Sequence, residues 1–293
     1  MEQKKQANLM RGATYASVAT AFFLILIKFI AFLFTGSVSL LSSLIDSILD
    51  SLASIINLFA VRASLEPADK EHRFGHGKAE PLAGLAQAAF VMGSSLFLIV
   101  ESFKRFVHPE PVEHGSIGIL VMLISLGATI VLVLYQRYVV KQTGSLAIQA
   151  DSIHYFSDIA LNVGVILSLF LSAYVAWTLA DPIFALLIAG YIIVSAWNIV
   201  SQSLDQLMDR ELSDEERSKI KNIIASHAGV IGMHDLRTRA SGKDIFIQAH
   251  IDMDAEMSLY DAHQISEAVE SELQVNFPTA DILIHQDPVE RKD

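Results

Sequence analysis

The chain has 293 residues, 52% hydrophobic and 18% charged, with a mean hydropathy of +0.44. A soluble domain carries about 25% charged residues, so this apolar excess, gathered in long runs, excludes an ordinary soluble globule and points to a polytopic membrane protein. There is no cysteine, which leaves only His, Asp, Glu and backbone oxygen as metal ligands and removes disulfides and thiolate nucleophiles.

A membrane-spanning helix needs about 20 mostly apolar residues, and six segments qualify: 12–34, 38–61, 81–103, 116–137, 146–173 and 179–203. The first apolar run is longer than the core of a signal peptide and has no small-residue cleavage site after it, so it reads as a retained span. Lys28 lies inside it and reads as a snorkelling or interhelically paired cation. In the short loops, Lys4, Lys5, Arg11, Arg62, Lys70, Arg73, Lys78, Arg137 and Lys141 fall on one side, against Lys104 and Arg105 on the other. That bias predicts cytoplasmic termini.

Span two, "SLLSSLIDSILDSLASIINLFAV", carries Asp46 and Asp50 at i, i+4, on one helix face. Span five carries a matching pair in "ADSIHYFSDIALNVG", His154 and Asp158. Charged groups at membrane depth are costly and face a bundle interior or a water-filled path. Together the two pairs offer three carboxylates and one imidazole, a donor set suited to a tetrahedral dication, above all Zn²⁺. The plainer reading is four polar side chains that solvate one another; two matched pairs in separate spans weigh against it. Imidazole binds metal only when deprotonated, so metal and protons compete for the same groups. That competition, with alternating exposure, is sufficient chemistry for exchange transport.

The loop after span two, "EPADKEHRFGHGKAEP", places Asp69, His72 and His76 within eight residues, enough for one Zn²⁺ with a water. Its "GHGKAE" lacks the Ser or Thr of a phosphate-binding loop and leads into a span, so no nucleotide is expected. Neither a GxGD nor an H-E-x-x-H sequence occurs, which disfavours intramembrane aspartyl and zinc proteases.

After residue 208 the pattern changes to α-β-β-α-β. Ser213 and Glu216 form a capping-box signature, "HDLRTRA" and "DIFIQAHIDM" alternate as strands, a helix starts at Ser258, and "ADILIHQD" closes the order. Residues 210–293 hold 9 Lys and Arg against 17 Asp and Glu, a net of −8. Such a tail disfavours nucleic acid and suits cationic ligands. Five of the ten histidines lie in it: His227, His234, His250, His263 and His285. His285 and Asp287 share a strand face, and His250 lies on the polar face of its own strand. With His234 and His263 they make a candidate metal cluster. His227, at a helix end, and His108 and His114, in the outer loop, are assigned no metal role.

The motifs "SLLSSLIDSILD", "HRFGHGKAE", "DSIHYFSD", "ADPIFAL" and "LMDRELSDEE" resemble the cation diffusion facilitator family over nearly the whole chain, closest to its bacterial homodimeric zinc/iron efflux members. The resemblance implies a six-helix transmembrane bundle over 1–208 and a cytoplasmic, ferredoxin-like α+β domain for metal binding and dimerisation over 209–293. It implies a proton-coupled antiporter rather than an enzyme, a homodimer in the lipid of the bacterial inner membrane, with Asp46, Asp50, His154 and Asp158 as transport site. It further implies a loop site at Asp69, His72 and His76, a two-metal tail site in which Asp287 bridges, and a Lys78–Asp209 salt bridge across the dimer. Many zinc-selective eukaryotic members carry His where this chain has Asp46, so Cd²⁺ and Fe²⁺ join Zn²⁺ as expected cargo. The competing expectation is a membrane-anchored zinc sensor without transport.

Overall fold

A computed structural model describes residues 2–36, 38–107, 116–175 and 180–290; His108 and His114 lie outside them. The chain divides into two compact units, Met1–Leu204 and Asp205–Asp293.

The first unit consists of long helices: α1 (Glu2–Thr35), α2 (Val38–Ser64), α3 (Ala79–Val107), α4 (Ser116–Thr143), α5 (Leu146–Val175) and α6 (Ala180–Leu207). Their ends follow local chemistry. Gly36 and Gly144 adopt φ of +61° and +67°, and their amides bond back to Phe32 O and Val140 O, both at 2.8 Å, closing α1 and α4. Pro81 and Pro182 sit in first turns, where no helical amide partner is lost. α1 starts ten residues before its expected span, carrying the polar N-terminal segment as continuous helix.

Among the described residues five helices, all but α5, are long and apolar enough to cross a membrane. The described part of α5 carries Gln149, Asp151, His154, Asp158 and Asn162. The helices turn large apolar side chains outward, including Phe22, Leu33, Phe59 and Trp197, and bury small ones such as Ala13, Ser17, Ser54, Ala88 and Ala196. This distribution, the inverse of a soluble bundle, suits lipid outside and close backbone approach within. Gly12 is one such approach: a Cβ there would stand 2.7 Å from Tyr135 Oη of α4.

The second unit is α7 (Asp214–Ala225), β1 (Gly232–Ser241), β2 (Asp244–Asp254), α8 (Leu259–Asn276) and β3 (Ala280–Val289), with sheet order β1-β2-β3. β1 and β2 form an antiparallel hairpin; β3 joins β2 in parallel, with α8 as the crossover. The Ser213–Glu216 capping box is present on α7, and Ser258 caps α8. Ile247, Ala249, Ile251 and Met253 of β2 pack with Ile220, Ile224, Val269 and Leu273 of the helices, forming the core. The other sheet face carries mainly polar side chains, with Phe246 buried and Leu283 exposed among them. A bulge between His234 and Arg237, with Asp235 at φ +50°, interrupts the β1–β2 register.

Candidate metal centres

In the membrane unit, donor atoms of Asp50, His154 and Asp158 all lie within 4.8 Å of one another. α2 supplies the first and α5 the other two. The helices are fixed against each other by Ser54 Oγ to Tyr155 Oη at 2.8 Å and by Asn57 Nδ2, which donates to Ala147 O at 3.3 Å. His154 is buried, its ring held edge-on by Phe90 and Tyr155 at centroid distances of 5.8 and 5.4 Å. His154 Nε2 stands 3.0 Å from Asp50 Oδ1, yet no hydrogen-bond geometry satisfies this buried nitrogen. A buried nitrogen facing two carboxylates without a satisfying bond is suited to a metal ligand. Asp46 lines the same cavity of ≈ 260 Å³, with Ser94, Ser95 and Ser157, but is not one of the three converging donors.

The loop donors also converge. Donor atoms of Asp69, His72 and His76 fall within 4.8 Å, with His76 Nε2 3.1 Å from His72 Nδ1 and 3.4 Å from Asp69 Oδ2. Asp69 Oδ1 accepts from the amides of Glu71 at 2.9 Å and His72 at 2.6 Å, a turn that folds the loop back on itself. The amide of His72, first among several influences, holds the Asp69 carboxyl below its usual pKa.

In the second unit the register aligns His234 with His250, His250 with His285, and Asp252 with Asp287 on the polar sheet face. Asp287 Oδ2 lies 2.7 Å from His250 Nδ1 and 3.4 Å from His234 Nε2, while its Oδ1 faces His285 Nε2 at 3.3 Å. The two oxygens therefore address different imidazoles. The hydrogen bond from His250, then the positive potential of the neighbouring histidines, lowers the Asp287 pKa. His263 is exposed on α8 and is not among the clustered donors, because α8 packs its Ala262 and Ser266 side inward. Sequence reasoning passed over Asp252, whose Oδ1 lies 3.2 Å from His234 Nδ1; its i, i+2 spacing from His250 was the available signal. His227 bonds Ile223 O at 3.0 Å at the end of α7.

The profile of the cation efflux transmembrane domain matches residues 14–208, and that of the cation efflux cytoplasmic domain matches 212–289. The chain belongs to the cation efflux family. The cation-efflux pump FieF of Yersinia pestis (strain Pestoides F) is 49% identical over 282 residues, 96% of this chain and 94% of that protein. FieF of Yersinia pseudotuberculosis serotype O:3 (strain YPIII) matches to the same extent. Among solved structures, a zinc form of CzrB is 28% identical over 29% of this chain and 99% of that one, with a TM-score of 0.27. This cation efflux protein is thus a transporter and not an enzyme.

A second residue passed over in the sequence sits close to the membrane donors. Asp151 is fully buried on α5, three residues before His154. It accepts from Ser17 Oγ of α1 at 2.6 Å, Gln136 Nε2 of α4 at 2.7 Å and Gln87 Nε2 of α3 at 3.4 Å. Ser17 also bonds Ser54 of α2 at 3.2 Å. One carboxylate thus connects the helices that carry and flank the candidate metal donors.

For the sheet cluster, Asp287→Ala is expected to weaken Zn²⁺ binding on the order of 100-fold, since it removes the anion that three imidazoles approach. Calorimetric titration of the full chain checks this. Mild acid should release the ion, because a protonated imidazole cannot ligate. Asp287, its pKa lowered, stays ionised there. Its own contribution to folding is present above about pH 3.9 and is lost as pH falls through the depressed folded value.

Proposed function

We propose that this cation efflux protein exports Zn²⁺ from the cytoplasm in exchange for protons, with Cd²⁺ and Fe²⁺ as alternative cargo. The observation that carries the reading is the convergence of Asp50, His154 and Asp158 from two helices within 4.8 Å. Donors about 2.0–2.2 Å from a tetrahedral ion sit roughly 3.4 Å apart, so small side-chain rotations complete the site. Asp46, lining the same cavity, supplies the fourth group. Protonation of His154 and of clustered carboxylates displaces the ion, and its reversal readmits one, so alternating exposure couples the two fluxes.

In this reading α5 is the sixth span, because its acids face the bundle rather than lipid, and both termini are cytoplasmic. The protein works as a homodimer in the bacterial inner membrane, with Lys78 of one copy opposite Asp209 of the other. The loop donors hold one ion. The sheet cluster of His234, His250, His285 and Asp287, joined by Asp252, holds two bridged by Asp287 and links cytoplasmic metal to dimer stability.

The test is Zn²⁺ flux into proteoliposomes under an imposed pH gradient. Flux should rise when protons are offered on the side that receives metal and collapse with a proton ionophore. A sensor without transport gives no flux under either condition, and ionophore-insensitive flux removes the proton coupling.

A further inference from the structure

Lys28 is the single basic residue between Arg11 and Arg62, a stretch covering nearly all of the first two spans. An ammonium at such depth is costly unless it is used. The structure shows where its charge goes. Half-buried on α1, Lys28 Nζ donates to Ser47 Oγ at 2.7 Å and to Ser43 O at 3.2 Å, both on α2. Ser47 follows Asp46 directly and precedes Asp50 by three. Lys28, Asp46, Asp50 and Asp158 line one cavity of ≈ 230 Å³, and those three acids are the charged neighbours its ammonium feels. Among the described residues both of its hydrogen bonds go to neutral oxygens. Lys28 is therefore tethered beside the carboxylates without occupying the oxygens that an ion needs.

The charge count then becomes specific. Three carboxylates and one ammonium, with neutral His154, sum to −2. A dication brings this pocket to zero. Without Lys28 the loaded site would remain at −1 and the empty, fully deprotonated one at −3, and uncompensated charge in a low-dielectric interior is expensive. A cation that cannot leave also repels the one that must, which weakens binding and speeds release.

Resting on the assignment of the transport site above, we propose that Lys28 is a specificity-determining residue of that site. It is a built-in cation that sets the compensating charge at two and keeps a bound dication releasable. Removing it should tighten the site and slow turnover.

Concentration-dependent Zn²⁺ flux in proteoliposomes tests this. Lys28→Gln and Lys28→Met, a polar and an apolar replacement, should each lower the zinc KM about tenfold and reduce the maximal rate severalfold, the direction expected when a repelling charge is deleted. Lys28→Arg, which keeps the charge, should restore the wild-type KM. Ser47→Ala, which removes one of the two bonds from Lys28 to α2 but not its charge, should not reproduce the fall in KM. If Lys28 only staples the two helices, KM rises or stays constant, or Ser47→Ala copies Lys28→Gln, and the proposal is overturned. Asp50→Ala in the same assay separates the two ideas. If it stops flux while the Lys28 variants leave KM unmoved, only the role of Lys28 falls; if it transports normally, the site assignment falls first.

Discussion

Asp50→Ala is expected to reduce Zn²⁺ flux about a thousandfold while the protein still elutes as a folded dimer. The magnitude comes from the charge removed. At about 4 Å and an effective dielectric near 20, one unit-charge pair is worth roughly 4 kcal/mol, or about three powers of ten. Among the described residues Asp50 is the one converging donor on α2; His154 and Asp158 both come from α5. Its loss leaves α2 to hold the ion through Asp46, which lines the cavity without converging on the other donors, so movement of α2 against α5 no longer opens and closes the site effectively around it. Asp50→Asn should fail almost as badly, because the amide restores size and hydrogen bonding but not charge. Zinc stoichiometry decides between loss of the site and loss of the fold. Bound zinc should drop by one ion per chain. Wild-type flux from either variant would sink the assignment.

The candidate donors stand out in the sequence because hydrocarbon makes charge conspicuous. Asp46 and Asp50 interrupt an otherwise uncharged span, and i, i+4 spacing fixes their common face. Periodicity could not show which of the four side chains converge, since that depends on rotamers and on how α2 meets α5. Asp46 lines the cavity while the other three cluster. In the tail, strand alternation placed His250 and Asp287 on the polar sheet face, opposite the Ile247–Ala249–Ile251 row. His263 was grouped with them on residue type alone, and the burial of the opposite side of α8 takes it away. The bulge at Asp235 was invisible because a single left-handed residue leaves no periodic trace. Asp151 was overlooked although it is as deeply placed as His154. No matching acid or imidazole pair marks it, and its partners are Ser17, Gln87 and Gln136, ordinary polar residues scattered over three other helices.

That overlooked acid carries the second large effect. Asp151→Ala is expected to destabilise the membrane unit by about 3 kcal/mol, from two buried amide donors left without an acceptor at about 1–3 kcal/mol each, offset in part by no longer burying a carboxylate. Ser17 is less exposed to the loss because Ser54 Oγ lies within 3.2 Å as a second acceptor. Among the described residues, Gln136 and Gln87 donate to no second acceptor, and the side chain of Gln136 is wholly buried. Asp151→Asn should be much milder. Its remaining oxygen can still accept from Ser17, and the new amide needs an acceptor that the site already contains: Gln136 Oε1 is buried and makes no hydrogen bond, so a flip of that side-chain amide turns it toward the substituted group. Thermal unfolding in detergent measures both variants. The alanine variant should melt several degrees lower and the asparagine variant close to wild type. Equal loss in the two would mean that the carboxylate's charge, rather than its hydrogen bonds, holds the helices together, and an unchanged alanine variant would mean that the five-helix junction contributes little to holding the donors in place.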